Sequence, residues 1–210
     1  NPLTPIQLSA ERLKRKYQGR LPDDSGLFAQ CTDTIIRHVG DIGHMVDEFS
    51  AFARMPTPVM REENIEELVR DAVFLQQSAW PQISFDVELP LRPVRFACDG
   101  PKVSQALTNL LQNSINALSE GASPAPWKIA VRVRRNESAM LFEVEDNGQG
   151  FPSDRERLFE PYVTTRVKGT GLGLAIVRDV AEIYDGSVSL EESEDLGGLL
   201  VRLRLPRASG

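Results

Sequence analysis

The sequence predicts an α+β protein in which an antiparallel helical hairpin is followed by helices on one face of a largely antiparallel sheet. Two observations indicate this order. A heptad pattern of apolar residues runs through residues 25–54 without a proline, and beyond residue 61 short alternating strands and amphipathic helices replace it. We therefore expect a helical hairpin over residues 1–55, a linker over residues 56–61 and a mixed domain over residues 62–210.

The second helix of the predicted hairpin begins near Ser25 and ends before Pro56, because proline disfavours helical geometry in the residue that precedes it. Its apolar residues recur at the 3-4 spacing of an a/d seam for about four heptads. They are Phe28, Cys31, Ile35, His38, Ile42, Met45, Phe49 and Phe52. The first helix repeats this spacing upstream of a polar turn, through Leu3, Ile6, Ala10, Leu13 and Tyr17.

The two predicted helices differ in length. The second runs for about 28 residues, or ~42 Å, and the first for about 17 residues, or ~26 Å. Part of the second helix's seam therefore lacks a counterpart, and we expect the natural protein to continue upstream of Asn1. Two such hairpins would bury their apolar faces as a four-helix bundle in a homodimer.

The mixed domain is predicted to have the order α-β-β-α-β-β-loop-α-β-β. Its first helix begins at Asn64, where Glu67 stands at the third helical position and completes a capping box. Helices are also expected over residues 102–118 and 171–184. Strands are expected over residues 83–89, 94–97, 129–133, 140–144, 187–190 and 199–205.

Composition limits the classes of function. The net charge of −6 argues against a nucleic-acid-binding surface, and no run of eighteen apolar residues is present. Cys31 and Cys98 share no motif with each other or with a histidine, so we expect free thiols in a reducing compartment.

One face of the predicted helix over residues 102–118 carries Asn109, Asn113 and Asn116, opposite a leucine-rich core face. Asparagine is a poor helix former, so three on one face need a reason. They are either a solvated surface or a set of amide oxygens that help to hold a hard cation such as Mg²⁺.

Two glycine-rich segments lie further along the chain. In the first, residues 146–150, Asp146 follows a strand and its carboxylate can accept a hydrogen bond from an amine such as that of adenine. The second, residues 169–174, opens the last helix, where backbone N–H groups and the helix dipole favour phosphate. The loop between them carries hydroxyl and cationic side chains suited to a mobile lid over polyphosphate. These are Thr164, Thr165, Arg166 and Lys168.

In this order the segments resemble the N, G1 and G2 boxes of the histidine-kinase branch of the Bergerat-fold, or GHKL, ATPases, and residues 159–162 resemble the F box between them. The resemblance covers about residues 62–206 and implies ATP and Mg²⁺ as cofactors. It implies that Asn113 ligates Mg²⁺, Asp146 recognises adenine and Phe159 anchors the lid. The implied nucleotide-binding residues are Asn109, Asn113, Asn116, Asp146, Gly148, Gly150, Phe159, Thr164, Thr165, Lys168, Gly169, Thr170, Gly171, Leu172 and Gly173.

The hairpin resembles the same family. Residues 1–5 look like the end of a His-Glu-x-x-Asn-Pro-Leu H box, and residues 1–13 and 49–56 resemble nitrogen-regulation sensor kinases of the NtrY type. The resemblance implies that the phosphoacceptor histidine stands four residues before Asn1. It also implies that Asn1 is a candidate for positioning the water that dephosphorylates a response regulator. His38 and His44 do not resemble an H box, and we expect structural roles for both.

The leading hypothesis is a two-component histidine kinase core that transfers the γ-phosphate of Mg·ATP to the upstream histidine and onward to a response-regulator aspartate. Asn109, Arg166 and Lys168 are its candidate catalytic residues within this chain. We expect the fragment to bind ATP without becoming phosphorylated, because it lacks the acceptor. We also expect it to be the cytoplasmic portion of a bacterial kinase anchored in the inner membrane through upstream segments, with a homodimer and a receiver domain as partners and no nucleic acid.

Two alternatives remain open. The first is an ATPase clamp, although Asn109 stands where such clamps carry the glutamate that activates water. The second is a phosphatase-biased nucleotide-sensing scaffold. It is kept open by Asn116 and Ala117, which stand where many relatives carry a basic and an aromatic residue.

Overall fold

The computed structural model describes residues 3–17, 25–53, 57–119, 125–150, 156–161, 163 and 171–207. The chain divides into two compact units, Asn1–Met55 and Pro56–Gly210. No helix in the described ranges is long and apolar enough to cross a membrane.

The first unit contains helix α1 (Thr4–Tyr17) and helix α2 (Ser25–Ala53). Lys14 forms an ion pair of 2.5 Å with Asp33, and the rings of Tyr17 and Phe28 meet edge to face with centroids 6.2 Å apart. Tyr17, the later of the two residues in α1, contacts Phe28, which is the earlier of the two in α2. The two helices therefore run in opposite directions.

The face of α2 that is buried differs from the heptad seam expected from the sequence. Thr32 and Val39 are buried, at 4% and 9% exposure, whereas the seam residues Ile35 and Ile42 are 45% and 47% exposed. The Thr32 hydroxyl donates to the carbonyl oxygens one turn earlier, which satisfies it in this position. The apolar stripe of α2 is wider than one partner helix covers, so the heptad pattern alone could not show which part α1 contacts. Met45, Phe49, Phe52 and the second histidine, His44, lie outside the described side chains.

The second unit follows the predicted order of elements, with a short strand and a 3₁₀ turn added. Its elements are β1 (Arg61–Asn64), α3 (Ile65–Ala79), β2 (Ile83–Glu88), β3 (Arg95–Cys98), α4 (Gly100–Ser119), β4 (Trp127–Arg135), β5 (Ala139–Asp146), the 3₁₀ turn Glu156–Phe159, α5 (Gly173–Ile183), β6 (Ser187–Glu192) and β7 (Leu199–Pro206).

Five strands form the main sheet in the order β2-β4-β5-β7-β6. Only the β2–β4 pair within it is parallel, so the prediction of a largely antiparallel sheet is confirmed. Strand β1 pairs antiparallel with β3 in a separate two-stranded sheet. Strand β1 was not predicted, because its residues, Arg-Glu-Glu-Asn, show no apolar alternation.

The start of α3 differs in detail from the predicted capping box. The Asn64 side-chain oxygen accepts from the backbone N–H of Glu66 at 3.2 Å, which is the expected N-cap bond. The Glu67 carboxylate, however, accepts from the side-chain amide of Asn64 at 2.8 Å rather than from its backbone.

The core lies between the main sheet and helices α4 and α5. Side chains alternate across a strand, so β5 directs Met140, Phe142 and Val144 to one face, all fully buried. Asp146 continues this face at the end of the strand, where it is 1% exposed. Glu143 and Glu145 point to the opposite face, where Arg202 and Arg132 pair with them. The fold thereby places the Asp146 carboxylate on the helix-covered face of the sheet, at the end of its central strand.

Candidate functional site

The site expected from the sequence is assembled by the start of α5 and the asparagine face of α4. Gly173 is the first residue of α5. A Cβ atom at this position would lie 3.5 Å from Nδ2 and 3.6 Å from Oδ1 of Asn113, and 3.8 Å from Oδ1 of Asn109. The G2 glycine and two of the three asparagines are therefore direct neighbours.

The asparagines differ in their surroundings. Nδ2 of Asn109 is buried and makes no hydrogen bond to the part of the chain that the structure describes. Because buried polar atoms are nearly always bonded, this amide has the capacity to donate to a further partner, such as a water or a ligand. Oδ1 of Asn116 instead accepts from Nε2 of Gln112 at 2.8 Å, one turn back along α4. Asn116 is thus engaged within its own helix, whereas Asn109 and Asn113 contact α5.

Asp146 forms the other end of the site. Its Oδ1 atom accepts from the backbone N–H of Gly148 at 2.9 Å and from that of Leu199 at 3.5 Å. A Cβ atom at Gly148 would lie 2.8 Å from that same oxygen and 3.1 Å from the Cβ of Ala117, so the turn requires glycine. Gly150 follows with a φ of 72°, a left-handed conformation that glycine adopts without strain. The G1 segment therefore packs against the last turn of α4.

Asn147 is an anchor for this segment. Its Oδ1 atom accepts from the backbone N–H of Lys128 at 2.7 Å, and its Nδ2 atom donates to the carbonyl of Pro126 at 2.9 Å. Both partners lie at the start of β4, so Asn147 joins the end of β5 to the neighbouring strand.

Gly198 also belongs to the site, although the sequence alone did not predict it. A Cβ atom there would lie 2.6 Å from the backbone nitrogen of Gly148 and 2.8 Å from Oδ1 of Asp146, and closer still to the Asp146 carbonyl oxygen. The turn before β7 thus touches the base of the site. The only signal in the sequence was the glycine pair at 197 and 198 ahead of the last strand.

Several predicted site residues lie outside the described residues. They are Asn1, Thr164, Thr165, Arg166, Lys168, Gly169 and Thr170. Gly171 is described and has a φ of 70°, and Leu172 is fully buried ahead of α5. Phe159 is half-buried in the 3₁₀ turn, where Leu158, at 6% exposure, is the more deeply buried side chain. The deeper burial of Leu158 makes it the main packing contact of this turn, while the role of Phe159 as the anchor of the lid stays a prediction.

At the Gly173 end of the site, the side chains that could bind a metal ion are neutral amides. Among the described residues, no group of three or more histidine, cysteine, aspartate or glutamate side chains could hold a metal ion. The oxygens near Gly173 belong to Asn109 and Asn113, which are hard donors of the kind Mg²⁺ accepts. Amides add no charge, so a cation here would need a ligand that brings anionic groups of its own.

Comparison with known proteins agrees with this geometry. Residues 98–209 match the family described as histidine kinase-, DNA gyrase B- and HSP90-like ATPase. The catalytic domain of the histidine kinase ThkA has a TM-score of 0.63 at 27% identity, over 71% of this chain and 96% of that domain. ThkA in complex with the response regulator protein TrrA has a TM-score of 0.72 at 23% identity, over 99% of this chain and 58% of that one.

Two curated relatives narrow the position within the family. The chain is 50% identical to the nitrogen regulation protein NtrY of Azorhizobium caulinodans, over 98% of this chain and 27% of that protein. It is 35% identical to a putative sensor histidine kinase NtrY-like of Rickettsia bellii, over 97% of this chain and 33% of that protein. The chain thus spans a third or less of the length of these relatives. It belongs to the histidine kinase-, DNA gyrase B- and HSP90-like ATPase family and, within it, to the sensor histidine kinases of the NtrY type.

Proposed function

We propose that this chain is the core of a protein-histidine kinase that binds Mg·ATP between α4, the end of β5 and the start of α5. The observation that carries the proposal is the packing of Gly173 against Asn109 and Asn113, with Asp146 buried at the end of the neighbouring strand. This arrangement offers a polar acceptor at one end and an anion-binding helix start at the other.

Adenine is assigned to the Asp146 end. The backbone N–H groups of Gly148 and Leu199 donate to Oδ1 of Asp146 and hold this carboxylate in position, and we assign the carboxylate as the acceptor for the exocyclic amine of adenine. Because Gly148 has no side chain, the backbone can approach a flat ring closely. An ionised acceptor makes this hydrogen bond stronger than one between neutral groups.

Phosphate is assigned to the start of α5. The first N–H groups of a helix have no acceptor within the helix, and the N-cap residue Leu172 provides no side-chain cap. These amides and the helix dipole favour an anionic group. Asn113, with Asn109 beside it, would hold Mg²⁺ through amide oxygens, and the bound ion would neutralise phosphate charge. The buried Nδ2 of Asn109 fits a site that is completed by a ligand.

Asn109 favours transfer over hydrolysis. Its Oδ1 atom lies near Gly173, at the end of the site assigned to phosphate, and an amide cannot accept a proton from water as a general base does. We therefore propose phosphoryl transfer to an acceptor outside this domain. Positioning and charge neutralisation account for most of the catalysis in such transfers. Arg166 and Lys168 are the proposed cations of the lid.

The first unit is proposed to dimerise and to present the phosphoacceptor. Ile6, Leu13, Ile35 and Ile42 are between 45% and 49% exposed on α1 and α2, which supports burial of these residues in a four-helix bundle. Residues 1–5 resemble the end of an H box, and the proposed acceptor of the phosphoryl group is the histidine of that box. The phosphoryl group would then pass to a receiver-domain aspartate. Asn1 is the candidate for positioning water in the reverse reaction. A cytoplasmic location follows for a fragment that uses ATP, with membrane attachment through other segments.

Isothermal titration calorimetry with Mg·ATP tests the metal assignment. Asn113→Ala should weaken Mg·ATP affinity about tenfold or more, since even second-shell partners of a metal are worth that much. Gln77→Ala is the matched control, because it removes an exposed side-chain amide from α3, a helix that is not part of the proposed site. Equal affinity of Asn113→Ala, Asn113→Asp and the unsubstituted chain would remove Asn113 from the metal site.

Labelled ATP tests the transfer. This chain and a version extended upstream by about twenty residues should both bind nucleotide, and only the longer one should retain label. Stable label on the shorter chain would refute the upstream acceptor and point to His38 or His44.

A further inference from the structure

The turn between β6 and β7, residues 193–198, reaches the base of the proposed adenine site. Gly198 lies against Gly148 and Asp146 so closely that no Cβ atom would fit. The next residue, Leu199, directs its backbone N–H to Oδ1 of Asp146 at 3.5 Å. The position of this turn therefore helps to set the position of the Asp146 carboxylate.

Ser193 holds the turn together. Its hydroxyl oxygen accepts from the backbone N–H groups of Leu196 at 2.7 Å and Gly197 at 3.2 Å. Its backbone N–H donates to the carbonyl of Gly198 at 2.9 Å. The side chain is 5% exposed, and its own proton is donated to Oε1 of Glu145. A single hydroxyl thus connects the turn to strand β5.

Glu145 is a buried carboxylate with both oxygens in use. It is 2% exposed, and Oε2 pairs with Nη1 of Arg132 on the adjacent strand β4. Nη2 of the same Arg132 reaches Asp195 in the turn at 3.2 Å. A buried carboxylate is retained only where charges and hydrogen bonds compensate it, and this one has both. Arg132 therefore holds β5 and the turn at once.

We propose that Ser193, Glu145 and Arg132 act together as positioning residues for adenine recognition. Glu145 precedes Asp146 and faces the other side of the sheet, so the network lies behind the site and does not contact the nucleotide. By holding the turn, the network keeps Gly198 and Leu199 packed against Asp146. This packing fixes the position of the Asp146 carboxylate that accepts from the amine of the base. The inference rests on the adenine assignment proposed above.

The difference between adenine and hypoxanthine isolates this role. Hypoxanthine carries a carbonyl where adenine has the amine, so a fixed carboxylate should accept ADP and reject IDP. A hydrogen bond to a charged group is worth enough to make this preference about tenfold or more. If the Asp146 carboxylate were held less firmly, the protein would bind ADP more weakly and would bind IDP nearly as tightly as before. A merely structural role would weaken both nucleotides equally.

The experiment is a calorimetric titration of the full chain with ADP and with IDP, each with Mg²⁺. Ser193→Ala should lower the ADP-to-IDP affinity ratio about fivefold through ADP alone, and Ser193→Thr, which keeps the hydroxyl, should restore it. Ser138→Ala is the matched control and should keep the ratio, because its hydroxyl bonds Asn136 in the turn at the far end of β4 and β5. An unchanged ratio in Ser193→Ala, or an equal loss for both nucleotides, would overturn the proposal.

Two further outcomes are informative. If Ser193→Ala does not fold, the same titrations of Asp195→Asn test the proposal. Asp195 is 71% exposed, and this substitution weakens only the outer contact of Arg132. A shift of about twofold in the same direction supports the network, and no shift refutes it. If the unsubstituted chain shows no preference for ADP, the adenine assignment itself fails, and the positioning role fails with it.

Discussion

Gly198→Ala should disturb both the folding of the second unit and its nucleotide site. The added Cβ atom would stand 2.6 Å from the backbone nitrogen of Gly148 and 2.8 Å from Oδ1 of Asp146. Carbon atoms normally approach such neighbours to about 3.5 Å, so the turn must withdraw by roughly 1 Å. The hydrogen bond from Leu199 to Asp146, already 3.5 Å long, would not survive that movement.

The magnitude combines two costs. Overpacking in a well-packed region costs about 1–3 kcal/mol, and the lost hydrogen bond adds about 1 kcal/mol. We expect the free energy of unfolding to fall by about 2–4 kcal/mol. ADP affinity should also fall, because the Asp146 carboxylate loses a contact that holds it in position.

Urea unfolding followed by tryptophan fluorescence measures this change. Both tryptophans of the chain, Trp80 and Trp127, belong to the second unit, so the signal reports on that unit. The matched control is Gly40→Ala in the middle of α2, where the new Cβ would meet no atom of the described residues within 4 Å apart from the helix's own backbone. Because Gly40 belongs to the first unit, this substitution should leave the tryptophan-detected transition of the second unit unchanged. If Gly198→Ala unfolds within about 0.5 kcal/mol of the unsubstituted chain and binds ADP equally well, the reasoning about this contact is wrong.

Three further predictions concern buried groups. Asp146→Asn should weaken ADP binding by about tenfold or more and spare IDP, because a side-chain amide can donate to a carbonyl; equal affinities in calorimetry would contradict this. Tyr184→Phe should lower the free energy of unfolding by about 1–3 kcal/mol, since the buried backbone N–H of Asp99 donates to the tyrosine hydroxyl at 2.8 Å. Tyr17→Phe, in the first unit, is the control and leaves this hydrogen bond intact. Cys31 is exposed and should react with a disulfide reagent at pH 8, while Cys98 should react only after unfolding, because burial raises the pKa of its thiol from 9.0 to about 12. Since the folded state favours the protonated thiol, that contribution to stability is complete below pH 9.0 and is lost as pH rises towards about 12; two fast thiols in the native protein would contradict the assignment.

The sequence predicted those parts of the site whose residue types are unusual for their element. Asparagines on a helix and glycines at a helix start are exceptions to propensity, and the structure brings Asn109, Asn113 and Gly173 together. Helix α4 was expected over residues 102–118 and occupies Gly100–Ser119. The apolar periodicity of a long amphipathic helix is a strong local signal, so its position could be predicted well.

The parts that were missed depend on pairing between distant segments. Arg132 and Glu145 are ordinary surface residue types in sequence. Only the antiparallel pairing of β4 with β5, in which Arg132 lies opposite Glu143, brings Arg132 within ion-pair distance of Glu145 two residues further along. Ser193 and Gly198 read as parts of a plain turn until the β6–β7 hairpin brings them to Asp146. For the heptad seam of α2 the limit was a different one, because periodicity indicates an apolar stripe and not which partner covers each part of it.

The most direct test of the proposed site is a crystal structure of this chain with Mg²⁺ and a non-hydrolysable ATP analogue. We expect the adenine amine to lie within hydrogen-bonding distance of the Asp146 carboxylate. We also expect phosphate oxygens to accept from the backbone N–H groups at the start of α5, and the metal to lie beside Asn113. A nucleotide bound elsewhere, or bound here with its base away from Asp146 and its metal away from Asn113, would contradict it.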